Sequence, residues 1–300
     1  MYHGIINIYK EAGYTSHDVV AKLRGILGQK KIGHTGTLDP DAVGVLPVCL
    51  GNGCRLCDML NDTSKEYRAK LRLGVTTDTQ DMSGTVLMQK EVFVTEKEVA
   101  DTAYTFLGSY EQVPPMYSAL KVNGKKLYEL AREGKVIERK ARTVQIEALD
   151  ILQMELPLVE MRVVCSKGTY IRTLCNDIGE KLGCGGAMES LLRSRVGSFR
   201  VEDALLLSDV EKLSKEGGLQ DFIIPVEKMF SDLAENRVKS TYQKQLQNGN
   251  QLAPKMLCIR QDMEDNKRLR IYNEQGVFYG IYRYEKNTDL LYPVKMFLPE

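Results

Sequence analysis

The chain has 300 residues, of which 43% are hydrophobic and 27% are charged, and its formal net charge is +1. This composition is ordinary for a globular protein with one large domain, alone or with a small second domain. The first residues lack the basic head and apolar run of a signal peptide, and no segment has the roughly 20 apolar residues of a membrane helix. We therefore expect a cytoplasmic protein that does not enter a membrane.

Hydrophobic patterning near the N-terminus predicts strands and a helix in alternation. A strand is expected at Gly4–Lys10, followed by a helix over Asp18–Ile26 that Ser16 caps. Gly28–Pro40 is polar and rich in glycine, which predicts a loop. The apolar run Val43–Leu50 then predicts a short strand.

The middle of the chain gives two sharper local signals. Glu66–Leu73 alternates apolar and charged residues, which predicts a half-buried strand. Thr95 and Glu98 have the spacing of a capping box, which predicts a helix that continues to about Leu107.

A basic excursion from the core is predicted at Tyr117–Arg142, with a short helix near Leu127–Arg132. Residues 121–142 contain 8 lysines and arginines against 3 acidic residues, and residues 237–300 contain 11 against 7. Residues 201–236 show the opposite balance, 3 against 9. Such a distribution is compatible with a polarised surface that meets a polyanion, although most charge runs are simply solvated faces.

The second half of the chain is predicted to contain paired strands, one helix and a small β module. Paired strands are expected at Val144–Glu155 and Val159–Cys165, and a helix at Thr169–Leu182. A domain boundary is expected near Ser231–Ser240. The short strands of the last 60 residues are expected at Met256–Arg260, Leu269–Tyr272, Val277–Tyr284 and Leu291–Met296.

The seven cysteines do not have the spacing of a metal site. Cys54 and Cys57 form a C-x-x-C pair beside Cys49, but a structural zinc site needs a second pair at suitable spacing. The chain has only three histidines, so a histidine metal cluster is not supported either. We expect reduced, mostly buried thiols and no bound metal.

The densest polar motif is Lys31–Pro47, in which Asp39 precedes Pro40. Glycines in this run allow the backbone to approach a ligand closely, and the proline pushes Asp39 towards an extended backbone. The residues alone are equally compatible with a structural Asp-Pro turn and with a catalytic carboxylate. The spacing of a phosphate-binding P-loop is absent.

This motif resembles the G-H-T-G-x-L-D-P signature of the TruB family of tRNA pseudouridine synthases. Other blocks resemble further family motifs, and they occur in the family's order over roughly residues 4–200. These blocks are Lys65–Gly84, Pro114–Glu133, Ser166–Leu174 and Leu191–Phe199.

The resemblance implies an α+β fold with a mixed, largely antiparallel sheet flanked by helices, the pseudouridine synthase fold. It implies a catalytic domain over residues 1–235, with an RNA-binding insertion at about 117–142. The C-terminal residues 236–300 are similar in position and size to the family's PUA-like RNA-binding domain.

The resemblance also implies roles for individual residues. Asp39 corresponds to the catalytic carboxylate, and Arg172 to the arginine that pairs with it. Tyr67 corresponds to the tyrosine that stacks on the flipped base, and Tyr170 to a tyrosine that lines the pocket. Leu191 resembles a residue that closes the uracil site.

Two further residues are expected to assist this set. His34 resembles a histidine that helps to extrude and hold the substrate nucleotide. Asp81 is expected to support the motif loop through hydrogen bonds.

The implied substrate is uridine-55 in the T-loop of tRNA. RNA loops expose bases that can be splayed out, whereas A-form helices do not. Basic residues of the insertion are expected to meet phosphates. The implied phosphate contacts are Lys121, Lys125, Lys126 and Arg132.

The reaction is an isomerisation, so no cofactor is needed. We expect a monomer, because no segment of the sequence has the pattern of a coiled coil.

The chain departs from the family pattern at two places. The family usually has Lys-Pro where this chain has Lys10–Glu11, and a different sequence where it has Gly53–Leu56. We expect both departures to affect only local contacts.

Two other functions remain open. The first alternative is a non-catalytic RNA-binding or RNA-folding protein, which would not need the carboxylate. The second is a glycosidase or phosphate-binding enzyme, but the motifs contain no paired catalytic carboxylates.

Overall fold

The computed structural model describes residues 1–61, 63–122 and 124–298. The strands in these ranges are β1 (Gly4–Lys10), β2 (Ile32–His34), β3 (Val43–Leu50), β4 (Lys65–Leu73), β5 (Val75–Thr77), β6 (Val86–Gln89), β7 (Gly108–Gln112), β8 (Lys121–Val122), β9 (Lys125–Lys126), β10 (Arg142–Glu155), β11 (Leu158–Cys165), β12 (Gly186–Val196), β13 (Phe199–Arg200), β14 (Glu235–Val238), β15 (Leu257–Ile259), β16 (Arg268–Asn273), β17 (Phe278–Glu285) and β18 (Leu290–Met296). The α-helices are α1 (Ser16–Leu27), α2 (Cys57–Asn61), α3 (Glu96–Tyr104), α4 (Leu127–Arg132), α5 (Ile171–Lys181), α6 (Leu207–Glu216) and α7 (Gln243–Gln247).

A large mixed sheet forms the body of the protein. Its strand order is β1-β3-β12-β4-β11-β10-β7, with β2 paired to β3 and β13 paired to β12. The β12–β3 pair is parallel, whereas the other pairs along this order are antiparallel. This architecture confirms the predicted α+β fold with a mixed, largely antiparallel sheet.

Helices cover the apolar side chains of the large sheet. On β4 the odd-numbered residues from Lys65 to Leu73 are buried. Tyr67, Ala69 and Leu71 share one core cluster with apolar residues of α3 and α5. In a second cluster, α1 and α6 pack against β1 and β3. Alternate residues of a strand face opposite sides, so Tyr67 and Arg72 lie on opposite faces of the sheet.

A second sheet lies in the C-terminal part of the chain, with strand order β15-β14-β16-β17-β18. It has its own core cluster, which includes Leu269, Ile271 and Tyr282. A separate cluster joins Phe278 and Phe297 of this part to Ile5 and Val45 of the large sheet. The small β module therefore packs directly on the body of the protein.

Most predicted elements occur within a few residues of the expected limits. The strands at Gly4–Lys10 and Val43–Leu50 are confirmed, as is the short helix Leu127–Arg132. The predicted loop at residues 28–40 contains the short strand β2, and α3 ends at Tyr104 rather than near residue 107. Within the described residues, no helix combines the length and apolar character that crossing a bilayer requires.

Candidate active site

Asp39 begins a tight turn in the loop that joins β2 to β3. Its carbonyl oxygen accepts a hydrogen bond from the Ala42 amide at 3.1 Å. Pro40 follows it, at the turn position where a fixed φ is favoured. Gly36 has a φ of 69°, which favours glycine. The structure therefore contains the predicted Asp-Pro turn. In this turn 38% of the Asp39 side chain is exposed.

A buried lysine holds the chain where it leaves Asp39. Lys10 ends β1 and has 0% of its surface exposed. Its ammonium group donates to the carbonyl oxygens of Glu11 at 3.1 Å, Tyr14 at 2.6 Å and Pro40 at 2.8 Å. Burial lowers the pKa of Lys10 to about 8. Because all three donors are used, Lys10 fixes the backbone on the C-terminal side of Asp39.

A buried serine holds the chain on the other side of Asp39. The Ser16 hydroxyl oxygen accepts a hydrogen bond from the Leu38 amide at 3.0 Å. The predicted capping role of Ser16 is wrong, because Thr15 is the N-cap and forms a capping box with Asp18. Ser16 is the first residue of α1, and its contact with Leu38 joins that helix to the loop.

Arg193 on β12 makes a third contact with the loop. Its side chain is 1% exposed, and it donates to the carbonyl oxygens of Val45 at 2.8 Å and Gly36 at 3.1 Å. Its positive charge also acts on the Tyr67 hydroxyl. A buried guanidinium is favourable only when it is hydrogen-bonded, and these two bonds fix the loop against β12.

The sequence analysis did not place Lys10, Ser16 or Arg193 in the site. Each binds main-chain atoms of the loop, and a main-chain partner leaves no mark in the sequence. The one available signal is a charged residue at the end of, or inside, an apolar strand, as for Lys10 and Arg193.

Arg172 lies between two carboxylates, those of Asp39 and Asp81. The resemblance implies the pairing with Asp39. Its Nη2 is 3.4 Å from Asp39 Oδ1, and its Nη1 is 3.6 Å from Asp81 Oδ2. Its side chain is 7% exposed. Nη2 also donates to the carbonyl oxygen of Tyr117 at 2.5 Å. This places the root of the basic insertion directly against the predicted catalytic pair.

Asp81 is held so that one oxygen faces Arg172. Its Oδ1 accepts hydrogen bonds from the Thr79 hydroxyl at 2.7 Å, the Ser83 amide at 3.0 Å and the Ser83 hydroxyl at 2.5 Å. Its Oδ2 is the atom that approaches Arg172. Asp81 thus contacts the arginine, and its connection to Asp39 passes through that guanidinium.

Opposing effects act on the pKa of Asp39. Burial is the largest effect and raises the pKa, and the negative charge of Asp81 raises it further. The positive charges of Arg172 and Lys10 lower it. The two cations therefore favour a charged Asp39 carboxylate at a site whose burial disfavours charge.

Two tyrosines lie near this carboxylate, and the Asp39 charge acts on both hydroxyls. Tyr67 is buried on β4, and burial raises its pKa to about 12, so it is a neutral phenol near neutral pH. Tyr170 is the N-cap of α5, and the Arg172 guanidinium lies 5.9 Å from the centre of its ring. Burial raises the pKa of the Tyr170 hydroxyl.

Leu191 and His34 occupy different positions relative to this group. Leu191 pairs with Ala69 in the register of β12 and β4, and it shares a buried cluster with Tyr67. The His34 ring lies edge-on to His17, with centroids 6.3 Å apart. Burial lowers the pKa of His34, and its Nδ1 is buried without a hydrogen-bond partner among the described residues. An unpaired buried nitrogen is costly, which favours a ligand contact for His34.

The predicted phosphate contacts lie on the small hairpin β8–β9 and on α4. Lys121 pairs with Lys126 across the hairpin, and Lys125 is 3.5 Å from Glu133. Lys126 and Arg132 both lie over the Tyr128 ring, at 5.3 and 5.4 Å from its centre. Lys121, Lys125 and Arg132 are exposed, so the insertion presents a cationic surface.

The other candidate chemistries find little support in the described residues. No group of three or more histidine, cysteine or acidic side chains there is arranged to hold a metal ion. The cysteines are free thiols: Cys49, Cys165, Cys175 and Cys184 are buried, and Cys258 is exposed. The geometry instead brings the Asp39 carboxylate and the Arg172 guanidinium together, with the Tyr67 and Tyr170 phenols nearby.

Comparison with protein families identifies two matching models. The model described as "TruB family pseudouridylate synthase (N terminal domain)" matches residues 24–171. The model described as "tRNA pseudouridylate synthase B C-terminal domain" matches residues 172–231. Together these ranges include Asp39, Arg172 and both tyrosines.

Curated relatives match nearly the whole chain. A tRNA pseudouridine synthase B of Lachnoclostridium phytofermentans is 53% identical over 99% of this chain and 100% of its own length. The protein of the same name from Alkaliphilus oremlandii is 44% identical over 95% of each chain. That of Clostridium kluyveri is 46% identical over 93% of this chain and 94% of its own.

Two solved structures of similar fold are chains of multi-component complexes. A chain of a Cbf5-Nop10-Gar1 complex is 28% identical, with a TM-score of 0.72 over 99% of this chain and 85% of that chain. A chain of an H/ACA RNP bound to a substrate RNA containing 2'-deoxyuridine is 26% identical, with a TM-score of 0.71 over 99% of this chain and 86% of that chain.

Proposed function

The chain belongs to the TruB family of pseudouridylate synthases, and we propose that it converts a uridine of tRNA to pseudouridine. The observation that carries this proposal is the Asp39 carboxylate 3.4 Å from the buried Arg172, in a loop fixed on both sides. Relatives at 44–53% identity named tRNA pseudouridine synthase B support tRNA as the substrate.

The proposed reaction is an isomerisation in which atoms and electrons balance within the substrate. The bond between C1′ of the ribose and N1 of uracil breaks, the uracil rotates, and a bond forms between C1′ and C5. The hydrogen on C5 is lost, and N1 gains one. Asp39 can act as nucleophile at the sugar, stabilise an oxocarbenium-like state or remove a sugar proton, and all three roles require the carboxylate.

The target base must leave the RNA stack before any of these steps. We propose that Tyr67 stacks on the flipped uracil, and that Tyr170 and Leu191 form other walls of its pocket. His34 would help to hold the extruded nucleotide. The neutral state of Tyr67 suits stacking, because burial keeps the proton on its hydroxyl near neutral pH.

We propose uridine-55 in the T-loop as the target, with the insertion at about residues 117–142 gripping the RNA. Residues 1–235 would form the catalytic domain and residues 236–300 a PUA-like RNA-binding domain. We also propose that the protein acts as a monomer in the cytoplasm. The exposed cations of the insertion, whose root contacts Arg172, support RNA binding on that side.

The function is tested with an unmodified tRNA transcript and no added metal or cofactor. Pseudouridine formation does not change mass, so it is read by chemical labelling of pseudouridine and mapped to a position. We expect conversion of uridine-55. A wild-type protein that binds this transcript without converting any uridine would instead be a tRNA-binding or tRNA-folding protein.

Neutralising two lysines of the insertion should weaken tRNA binding and its salt dependence. The variant Lys125→Gln/Lys126→Gln removes two cations that we assign to phosphate contacts. Each lost phosphate contact lowers the slope of log affinity against log salt by about one. Filter binding between low and physiological salt measures this slope. The control is Lys212→Gln/Lys215→Gln on α6, in the acidic stretch of residues 201–236, and an unchanged slope in the first variant would remove the hairpin from the interface.

A further inference from the structure

A buried glutamine at the edge of the large sheet clamps the main chain at the start of α5. Gln112 ends β7 and is 1% exposed. Its Oε1 accepts a hydrogen bond from the Tyr170 amide at 2.8 Å, and its Nε2 donates to the Tyr170 carbonyl oxygen at 3.0 Å. One side-chain amide therefore satisfies both polar groups of the same residue, which fixes the position and direction of that backbone.

The clamped residue begins α5 without a capping side chain of its own. Tyr170 is the N-cap of α5, with φ −98° and ψ 107°, and its side chain makes no capping hydrogen bond. The Tyr170 ring is part of the candidate site, and Arg172 follows two residues later. The orientation of the first turn of α5 thus decides both where this ring points and whether Arg172 reaches Asp39.

A second tie joins β7 to the same helix. Gln112 Nε2 also donates to the Tyr110 hydroxyl oxygen at 3.1 Å, and the Tyr110 hydroxyl donates to Asp177 Oδ2. Asp177 is seven residues after Tyr170, about two helical turns or ~10 Å along α5. Two attachments at this spacing resist both rotation and sliding of the helix, whereas a single attachment would allow rotation.

We propose that Gln112 is a positioning residue for this reaction: by clamping the backbone of Tyr170 it holds the Tyr170 ring and Arg172 in the orientation that serves Asp39. The inference rests on the proposed function. Gln112 lies outside the sequence blocks that suggested that function, and it touches no predicted catalytic side chain. Its effect on Arg172 passes through the main chain of α5.

The test separates positioning from simple stabilisation. Gln112→Met keeps the length of the side chain and removes all three hydrogen bonds. Gln112→Glu keeps the oxygen that accepts from the Tyr170 amide but loses both donated bonds, and it serves if the methionine variant does not fold. The control is Gln153→Met, on β10 of the same sheet, where the glutamine is exposed and bonds only Glu155 among the described residues.

Single-turnover rates at saturating tRNA are measured well below the melting temperature of each variant, with the dissociation constant of tRNA measured in parallel. A displacement of about 1 Å in a catalytic arrangement can lower a rate on the order of 100-fold, so we expect a 10- to 100-fold lower rate for both Gln112 variants. We expect their tRNA affinity to stay within about threefold of the wild type. Rates within twofold of the wild type in a folded variant would overturn the proposal, as would a loss of affinity that accounts for the loss of rate.

A spectroscopic measurement makes the result independent of activity. The chain has 15 tyrosines, so 3-fluorotyrosine labelling gives fluorine resonances, of which that of Tyr170 is assigned by its loss in Tyr170→Phe. We expect the Tyr170 resonance to shift in Gln112→Met and to stay in place in Gln153→Met. A Tyr170 resonance that does not shift in Gln112→Met would overturn the proposed clamp, whatever the activity of that variant. An inactive wild-type protein would overturn the proposed function, while the resonance would still report on the clamp.

Discussion

Replacing Asp39 with asparagine should lower the rate of pseudouridine formation by at least about 10⁴-fold, because removal of a reacting side chain costs rates of this order. The amide has the shape of the carboxylate but cannot attack the sugar, accept a sugar proton or carry a negative charge. Single-turnover conversion of an unmodified tRNA transcript, read by chemical labelling, measures the effect. The affinity for tRNA should stay within about threefold, since phosphate contacts supply most of the binding free energy.

The matched control for this variant is Asp41→Asn in the same loop. Asp41 is exposed and lies two residues from Asp39, so it reports the effect of removing a charge from the loop without removing the predicted catalytic group. Its rate should stay within a few-fold of the wild type. An Asp39→Asn protein with more than about one hundredth of the wild-type rate would remove Asp39 from the chemistry. A parallel loss of tRNA binding would indicate a folding defect instead.

Replacing Arg172 with methionine should lower the rate by about 10³-fold and move the acidic limb of the pH–rate profile to higher pH. Arg172 is the cation between Asp39 and Asp81, and its charge lowers the pKa of Asp39. Without it, burial and the Asp81 charge both act to raise that pKa. The reaction requires a charged Asp39, so activity should be lost at a higher pH as the solution is acidified.

Two further variants make this second result specific. Arg172→Lys keeps the positive charge but loses the planar guanidinium, which reaches both carboxylates and the Tyr117 carbonyl. Compared with Arg172→Met, we expect this variant to restore the wild-type pH profile more fully than the wild-type rate. The control is Arg72→Met on the opposite face of the sheet, where Arg72 forms a two-point pair with Glu189. An Arg172→Met profile that keeps the wild-type acidic limb would show that Arg172 does not control the ionisation of Asp39.

The sequence by itself determined the elements whose signals are local. The alternation in residues 66–73 gave β4, and Thr95 with Glu98 gave the start of α3, because side-chain direction and caps depend on neighbours within four residues. The ordered motifs also gave the family, and with it the expectation that Asp39 and Arg172 pair. That pair is present in the structure, although their roles in the reaction remain predictions.

The tertiary structure alone decided what surrounds Asp39. Thr15 and Ser16 are both suitable caps by residue type. In the structure Thr15 caps α1 through its capping box with Asp18, and Ser16 instead contacts Leu38 of the loop. Lys10 reaches a carbonyl 30 residues away, and Arg193 reaches one 157 residues away. Main-chain carbonyls are the same at every position, so no local pattern identifies such partners. They become specific only when the sheet brings β1, β12 and the Asp39 loop together.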